Sequence, residues 1–130
     1  ASGGELSRIM LAIKTVLAGR DDIDTLIFDE IDTGISGRTA WRVSEQLDTV
    51  AHAHQVLCIT HLPQIAAMAD RHFVIEKSSS EDSTITDIRV LGEEEGLGEL
   101  ARLLGGDALT EAALSNAREM RLQAFSHKKK

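Results

Sequence analysis

Residues 25–30 decide the fold, and they read Thr-Leu-Ile-Phe-Asp-Glu, an apolar run that stops at two consecutive carboxylates. Such a run predicts a strand buried on both faces, as in a parallel sheet with helices on either side. Asp29 and Glu30 then follow at the carboxyl end of the strand. Ligands of open α/β sheets bind at that edge, so acidic side chains there favour a metal ion and a polarised water. A strand that runs into an acidic turn is the simpler alternative.

A second apolar run, Val-Leu-Cys-Ile-Thr at residues 56–60, is followed by His61. The residues between the two runs carry apolar side chains at helical spacing and predict a helix that ends near Ala51 or His52. A strand, a helix and a second strand form a right-handed crossover, which brings both carboxyl ends to one edge of the sheet. Asp29, Glu30 and His61 are therefore expected to converge, although a purely structural role for His61 stays open.

Upstream of the first strand, Ser2 and Glu5 have the S-x-x-E spacing of a capping box. Helical spacing of apolar residues then predicts a helix to about Ala18, stopped by Gly19. Gly3 and Gly4 disfavour a helix, which suggests that the backbone comes close to another group. The bare amides of a helix N-terminus bind phosphate well. The alternative is a plain cap in which Ser2 bonds only its own helix.

The rest of the chain predicts an α/β fold with a hairpin and helices at its C-terminal end. Trp41 is expected to be a packing residue of the second helix. A short helix is predicted at 62–69. Strands at 73–77 and 84–91, joined by a loop at 78–83, are predicted to form an antiparallel hairpin at the edge of the sheet. An acidic turn at 93–95, a helix at 97–104 closed by Gly105 and Gly106, and a last helix at 110–125 capped by Thr110 follow.

The composition of the chain disfavours several classes of function. The 130 residues, 42% of them hydrophobic, suit one globular domain. The net charge of -7 disfavours a general binder of the phosphate backbone of nucleic acids, and Lys128 to Lys130 form a short basic end that is expected to be solvated. The single cysteine fits a reducing compartment, and no apolar run approaches the ~20 residues of a membrane span.

The sequence disfavours three other kinds of site: a zinc site, a nucleophilic cysteine and a phosphate loop. A zinc site built from His52, His54, Cys58 and His61 is disfavoured because the cysteine lies within a strand and lacks a second cysteine. A buried Cys58 is likewise disfavoured as a nucleophile. Residues 34–39 superficially resemble a phosphate loop, but their spacing is short and they lack the required lysine; the motif G-x-x-x-x-G-K-[ST] does not occur in the sequence.

Three ordered motifs carry a resemblance that covers essentially the whole chain. Residues 2–5, Ser-Gly-Gly-Glu before a helix, resemble the ABC signature motif; residues 26–30 resemble a Walker B strand; and residues 59–61 resemble the switch histidine. Their order matches the second half of a P-loop ATPase head of the ABC type. More narrowly, residues 1–14, 29–37 and 60–66 resemble the RecN family, which belongs with the SMC-like proteins.

The resemblance implies a role for each motif residue. Asp29 would help to hold Mg²⁺ through its water shell, Glu30 would orient or deprotonate the attacking water, and His61 would contact the γ-phosphate of ATP. Residues 2–4 would reach the γ-phosphate of ATP bound to a second, identical head, so the site would be complete only in a homodimer. The resemblance implies that the full-length protein is an ATPase that bridges or tethers DNA in double-strand break repair and recombination. It also implies that this protein acts in the bacterial cytoplasm, at the nucleoid.

The resemblance also implies that further segments of the same polypeptide complete the head. The Walker A loop and a long coiled coil would precede Ala1, so the chain is expected to be the C-terminal lobe of a head and to be inactive alone. Ala1 replaces the leucine of many signatures, and Ser36 or Gly37 stands where many relatives carry a D-loop aspartate; Asp32 is a candidate for that role. The alternatives are a nucleotide-binding domain of an ABC transporter and a noncatalytic dimerisation scaffold.

Overall fold

The computed structural model describes residues 2–105 and 108–129; Ala1, Gly106 and Lys130, which entered the predictions above, lie outside these ranges. Five helices and four strands follow one another in the described residues: α1 (Gly3–Val16), β1 (Thr25–Phe28), α2 (Gly37–Ala51), β2 (Gln55–Cys58), α3 (Pro63–Ala67), β3 (His72–Ser80), β4 (Ser83–Leu91), α4 (Glu93–Gly105) and α5 (Glu111–Lys128). The α/β class predicted from the sequence is confirmed.

Helix α1 begins where the capping residues placed it. The Ser2 hydroxyl accepts a hydrogen bond from the Glu5 amide at 3.2 Å, which satisfies one of the free donors of the first turn. The helix ends at Val16, with Leu17 as its C-cap. Gly19 follows with φ = +75°, a left-handed conformation that glycine adopts without steric cost. The predicted helix and its stop are confirmed.

Strands β1 and β2 pair in parallel, with Thr25 opposite Gln55 and Phe28 opposite Cys58, and α2 connects them. This is the predicted crossover. Leu26 and Phe28 are buried, but Ile27 is 68% exposed. The prediction of a strand buried on both faces, in a sheet flanked by helices on either side, was therefore wrong for this chain. Alternate residues of a strand point to opposite faces, and the residues packed in the core around β1 cover only one of them.

Strands β3 and β4 form an antiparallel ribbon that pairs Phe73 with Val90 and Ser80 with Ser83. The hairpin is confirmed, but its predicted place at the edge of the first sheet was wrong, because it is a separate two-stranded sheet. The predicted loop at 78–83 was also wrong. Its serines pair across the ribbon, and a two-residue turn, Glu81 and Asp82, remains. Serine is tolerated in these strands because the ribbon is exposed on both faces there.

Within the part of the chain that the structure describes, two hydrophobic cores meet at α3. Ile65 belongs to the core that packs around β1 and α2, whereas Ala66, Ala67 and Met68 belong to a core with α4 and α5. Trp41 is half-buried against this second core, which confirms it as a packing residue. The small alanines of the second core let these helices approach closely.

Helices α4 and α5 complete the second core. The predicted acidic turn at 93–95 is instead the first turn of α4, where three glutamates favourably meet the positive end of the helix dipole. Thr110 caps α5 by accepting a hydrogen bond from the Ala113 amide at 3.0 Å, as predicted. Across residues 2–105 and 108–129, every helix falls short of the length or the apolar character that a membrane span requires.

Candidate active site

The carboxyl ends of β1 and β2 lie side by side, and the Ile59 amide extends the pairing by donating to the Phe28 carbonyl at 3.1 Å. Asp29 and Glu30 follow β1 directly, and both are exposed. His61 follows β2, with its side chain 76% exposed. The three side chains singled out from the sequence thus project from neighbouring loops at one edge of the sheet. Their chemical roles stay predictions.

Asp32 joins these two loops. Its carboxylate oxygen Oδ2 accepts hydrogen bonds from the Thr60 hydroxyl at 2.6 Å and from the His61 amide at 3.0 Å. The same oxygen lies 3.0 Å from Nδ1 of the His61 ring. Asp32 is only 4% exposed. From the sequence it was a candidate for a contact with a second head; in the structure its carboxylate engages residues of its own chain.

The pKa of the Asp32 carboxyl reflects these contacts. Burial alone raises that pKa, because it disfavours the charged form. The hydrogen bonds from the Thr60 hydroxyl and the His61 amide, together with the nearby His61 ring, outweigh the burial and hold the pKa below its ordinary value of 3.8. Asp32 is therefore an anion under physiological conditions.

This depressed pKa predicts a loss of stability in acid. Because the folded chain holds the Asp32 proton less tightly than the unfolded chain, the stabilisation is complete above pH 3.8 and is lost as the pH falls through the lower folded value. We expect the free energy of unfolding, measured with urea between pH 5 and 2.5, to fall more steeply in the parent chain than in Asp32→Asn. Asp82→Asn, in the exposed hairpin turn, is the control and should follow the parent; identical slopes in all three would contradict the assignment.

Glu30 has a left-handed backbone, with φ = +60°. Non-glycine residues adopt this conformation rarely, and it is found more often at functional sites. The Glu30 carboxylate lies against the start of α1, where a Cβ atom added to Gly3 would overlap it. A Cβ atom on Gly4 would lie 2.9 Å from the Glu30 carbonyl oxygen. The two glycines therefore let the start of α1 pack directly on the loop that carries Glu30.

Two further residues of α1 hold the same loop, and the sequence reasoning missed them. The Ser7 hydroxyl donates to the Asp29 carbonyl at 2.8 Å, and the Arg8 guanidinium donates to the carbonyls of Ile31 and Thr33 at 3.0 and 2.7 Å. Both lie four positions after one of the two glycines and therefore share their face of the helix. That spacing was the signal available in the sequence.

The residues of the rejected zinc site lie apart in the structure. His54 is buried next to the start of the strands, where its Nδ1 lies 2.5 Å from the Ile23 carbonyl oxygen, whereas His61 follows the strand ends. Burial, and then the charges of Asp32 and Asp29, raise the pKa of the Cys58 thiol to about 12. A thiol with so high a pKa is a poor nucleophile at neutral pH.

Comparison with known proteins gives one consistent result. No family model matches the chain. Over 124 residues it is 46% identical to the DNA repair protein RecN of Bacillus subtilis, a match that covers 95% of the chain and 22% of the relative. It is 50% identical over 120 residues to the proteins of the same name from Treponema pallidum and Haemophilus influenzae, with 92% of the chain covered. The chain thus spans about a fifth of the length of these relatives, and it belongs to the RecN family.

Proposed function

We propose that this chain is part of an ATPase head that hydrolyses ATP during DNA double-strand break repair and recombination. The observation that carries the proposal is the packing of the Glu30 loop between the N-terminus of α1 and the loop of His61. This arrangement joins, in one place, the three motifs that resemble those of ABC-type heads. The relatives are named as DNA repair proteins, which favours this role over that of a transporter domain.

The residues at this edge suit phosphoryl transfer. Such catalysis consists mostly of positioning and charge neutralisation. The exposed Glu30 carboxylate can orient an attacking water or accept its proton. The exposed Asp29 carboxylate fits a Mg²⁺ ion held through water, because Mg²⁺ typically keeps several waters and takes one or two carboxylates besides the phosphate oxygens. Bound there, Mg²⁺ would neutralise phosphate charge.

The start of α1 is suited to a phosphate on a second head. The Ser2 hydroxyl is engaged in its own helix, but the amides of Gly3 and Gly4 lie in the first turn, where a helix offers its amides no acceptor. Such amides, at the positive end of the helix dipole, bind anions. We assign residues 2–4 to the γ-phosphate of ATP on the opposite head, in a homodimer of heads.

The rest of the head has surfaces in this chain on which it can pack. The parallel sheet exposes Ile27, Leu57 and Ile59 on the face away from its core. The hairpin exposes an apolar face as well, formed by Phe73, Ile75, Ile88 and Val90. Contiguous apolar faces of this kind usually mark an interaction surface. We propose that the N-terminal half of the head, which would bring the Walker A loop, covers them, and that DNA is bound by the full-length protein.

The chain alone is expected not to hydrolyse ATP, because no phosphate loop occurs in its sequence. The test compares Mg²⁺-dependent ATP hydrolysis by the purified chain, by the remaining part of a RecN protein, and by the two together. Hydrolysis should appear only in the mixture. It should depend on Glu30, with Glu30→Gln as the variant and Glu94→Gln, on the exposed first turn of α4, as the control.

Two outcomes would contradict the proposal. If the chain alone hydrolyses ATP robustly and Glu30→Gln does not affect this activity, hydrolysis needs neither a Walker A loop nor Glu30. Failure of a properly assembled mixture to bind any nucleotide would instead favour a noncatalytic dimerisation scaffold.

A further inference from the structure

We infer that Asp32 is a positioning residue that fixes the tautomer and the direction of the His61 ring. The structural part of this inference stands on the contacts of Asp32 alone. Its consequence for catalysis rests on the proposed ATPase function, in which His61 meets the γ-phosphate.

The contact between the two side chains determines where the hydrogen of the ring must lie. The Asp32 Oδ2 atom and the His61 Nδ1 atom are 3.0 Å apart. At this separation a carboxylate oxygen and an imidazole nitrogen attract each other only if the nitrogen bears a hydrogen, because two lone pairs would repel. The hydrogen-bonding partner of one ring nitrogen thus determines which of the two nitrogens carries the hydrogen. We therefore expect the neutral His61 ring to take its Nδ1–H form.

Asp32 is well held for this purpose. It is 4% exposed, and it follows Ile31, which is completely buried. The Arg8 guanidinium donates to the carbonyls on either side of Asp32, those of Ile31 and Thr33. The Thr60 hydroxyl donates to the carboxylate and accepts from the Leu62 amide at 3.0 Å. The carboxylate is therefore fixed by both loops, whereas the His61 side chain is 76% exposed.

The fixed ring leaves one nitrogen for a ligand. With Nδ1 facing Asp32, Nε2 lies on the far side of the ring, away from the buried carboxylate. In the imidazolium form Nε2 can donate to a phosphate oxygen, and in the neutral form it can accept a proton. The backbone of His61 is held by the same carboxylate oxygen through its amide. One carboxylate thus sets both the main chain and the ring at this position.

The first test reads the tautomer directly. Long-range ¹H–¹⁵N NMR spectra of the chain, recorded near pH 9 where ordinary histidines are neutral, should show His61 as the Nδ1–H form. In Asp32→Ala the ring should return toward the Nε2–H form that free histidine prefers. Thr60→Val is the matched control, because it removes another donor to Asp32 but leaves the carboxylate beside the ring; it should keep the Nδ1–H form.

The second test measures ATP hydrolysis by a full-length RecN protein that carries this segment. By analogy with metal-binding histidines, whose carboxylate partners contribute a similar factor, Asp32→Ala should lower kcat by about 10- to 100-fold. If Asp32 acts through His61, the same change should have little further effect in a His61→Ala background. A purely structural role would lower kcat by the same factor in both backgrounds.

The outcomes separate this inference from the proposed function. An Nε2–H ring in the parent chain, or a shift in Thr60→Val equal to that in Asp32→Ala, would overturn the inference whatever the activity. Loss of the Nδ1–H form in Asp32→Ala, together with no effect of His61→Ala on hydrolysis, would support the structural link and contradict the catalytic role of His61. If Asp32→Ala does not fold, Asp32→Asn should shift the ring in the same direction, because a neutral amide holds the N–H less strongly than a carboxylate does.

Discussion

Glu30→Gln, in a full-length RecN protein that carries this segment, is expected to lower kcat for ATP hydrolysis by about 10²- to 10⁴-fold, the usual contribution of general acid–base catalysis. Glutamine keeps the size of the side chain and adopts a left-handed backbone about as readily as glutamate does. The fold and the contact with Gly3 should therefore persist. In the proposed mechanism, the variant would lose the ability to accept a proton from the attacking water. Steady-state hydrolysis and nucleotide binding, measured on the same preparation, check the prediction.

Nucleotide binding by this variant should stay within a few-fold of the parent, because the lost interaction belongs to the transition state. Glu94→Gln serves as the control, since Glu94 is an exposed glutamate on α4 and should leave kcat unchanged. An unchanged kcat in Glu30→Gln would exclude Glu30 as the base, and a large loss of binding would indicate that it holds the nucleotide instead.

Gly4→Ala is expected to destabilise the chain by about 1–3 kcal/mol, the usual cost of forcing extra atoms into a packed site. The added Cβ atom would lie 2.9 Å from the Glu30 carbonyl oxygen and 2.9 Å from the Thr33 Cβ atom. Both belong to a loop held by Arg8, so neither can rotate away. The start of α1 must then move off the loop. Urea denaturation of the chain measures the effect.

Gly3→Ala is the matched control, because the two glycines are neighbours in the same helical turn. At Gly3 the added atom meets only the end of the Glu30 side chain, which is exposed and can swing into solvent. Its effect on the free energy of unfolding should stay within about 0.5 kcal/mol. Equal destabilisation by both variants, or none by Gly4→Ala, would contradict the close packing of α1 on this loop. In the full-length protein Gly3→Ala should still lower hydrolysis, since it displaces the Glu30 carboxylate.

Several elements were predictable because their signals are local. The S-x-x-E pattern at Ser2 marked the start of α1, and a glycine marked its stop. The apolar runs around Ile27 and Leu57, separated by a helical pattern, predicted the parallel pairing that the structure shows. A capping hydroxyl or a period of 3.6 depends only on residues a few positions apart, so it can be recognised without knowledge of the rest of the fold.

The errors came from features that depend on distant packing. The apolar side chain of Ile27 indicates a buried position, but whether anything covers it depends on what lies across the sheet. The serines near Ser80 indicate a loop by propensity, yet an exposed ribbon accepts them as strand residues. Burial and strand pairing are properties of the assembled molecule, and they override such local preferences.

The sequence by itself determined the order of the elements, the motifs and the sheet edge on which Asp29, Glu30 and His61 lie, because each depends on local pattern and on the handedness of the crossover. Only the tertiary structure decided that Asp32 faces inward to His61 and that Arg8 holds the Glu30 loop. These contacts join residues 23 to 29 positions apart in the chain. No local pattern encodes such a pair, since the direction of a side chain across the fold is set by how helices and loops pack together.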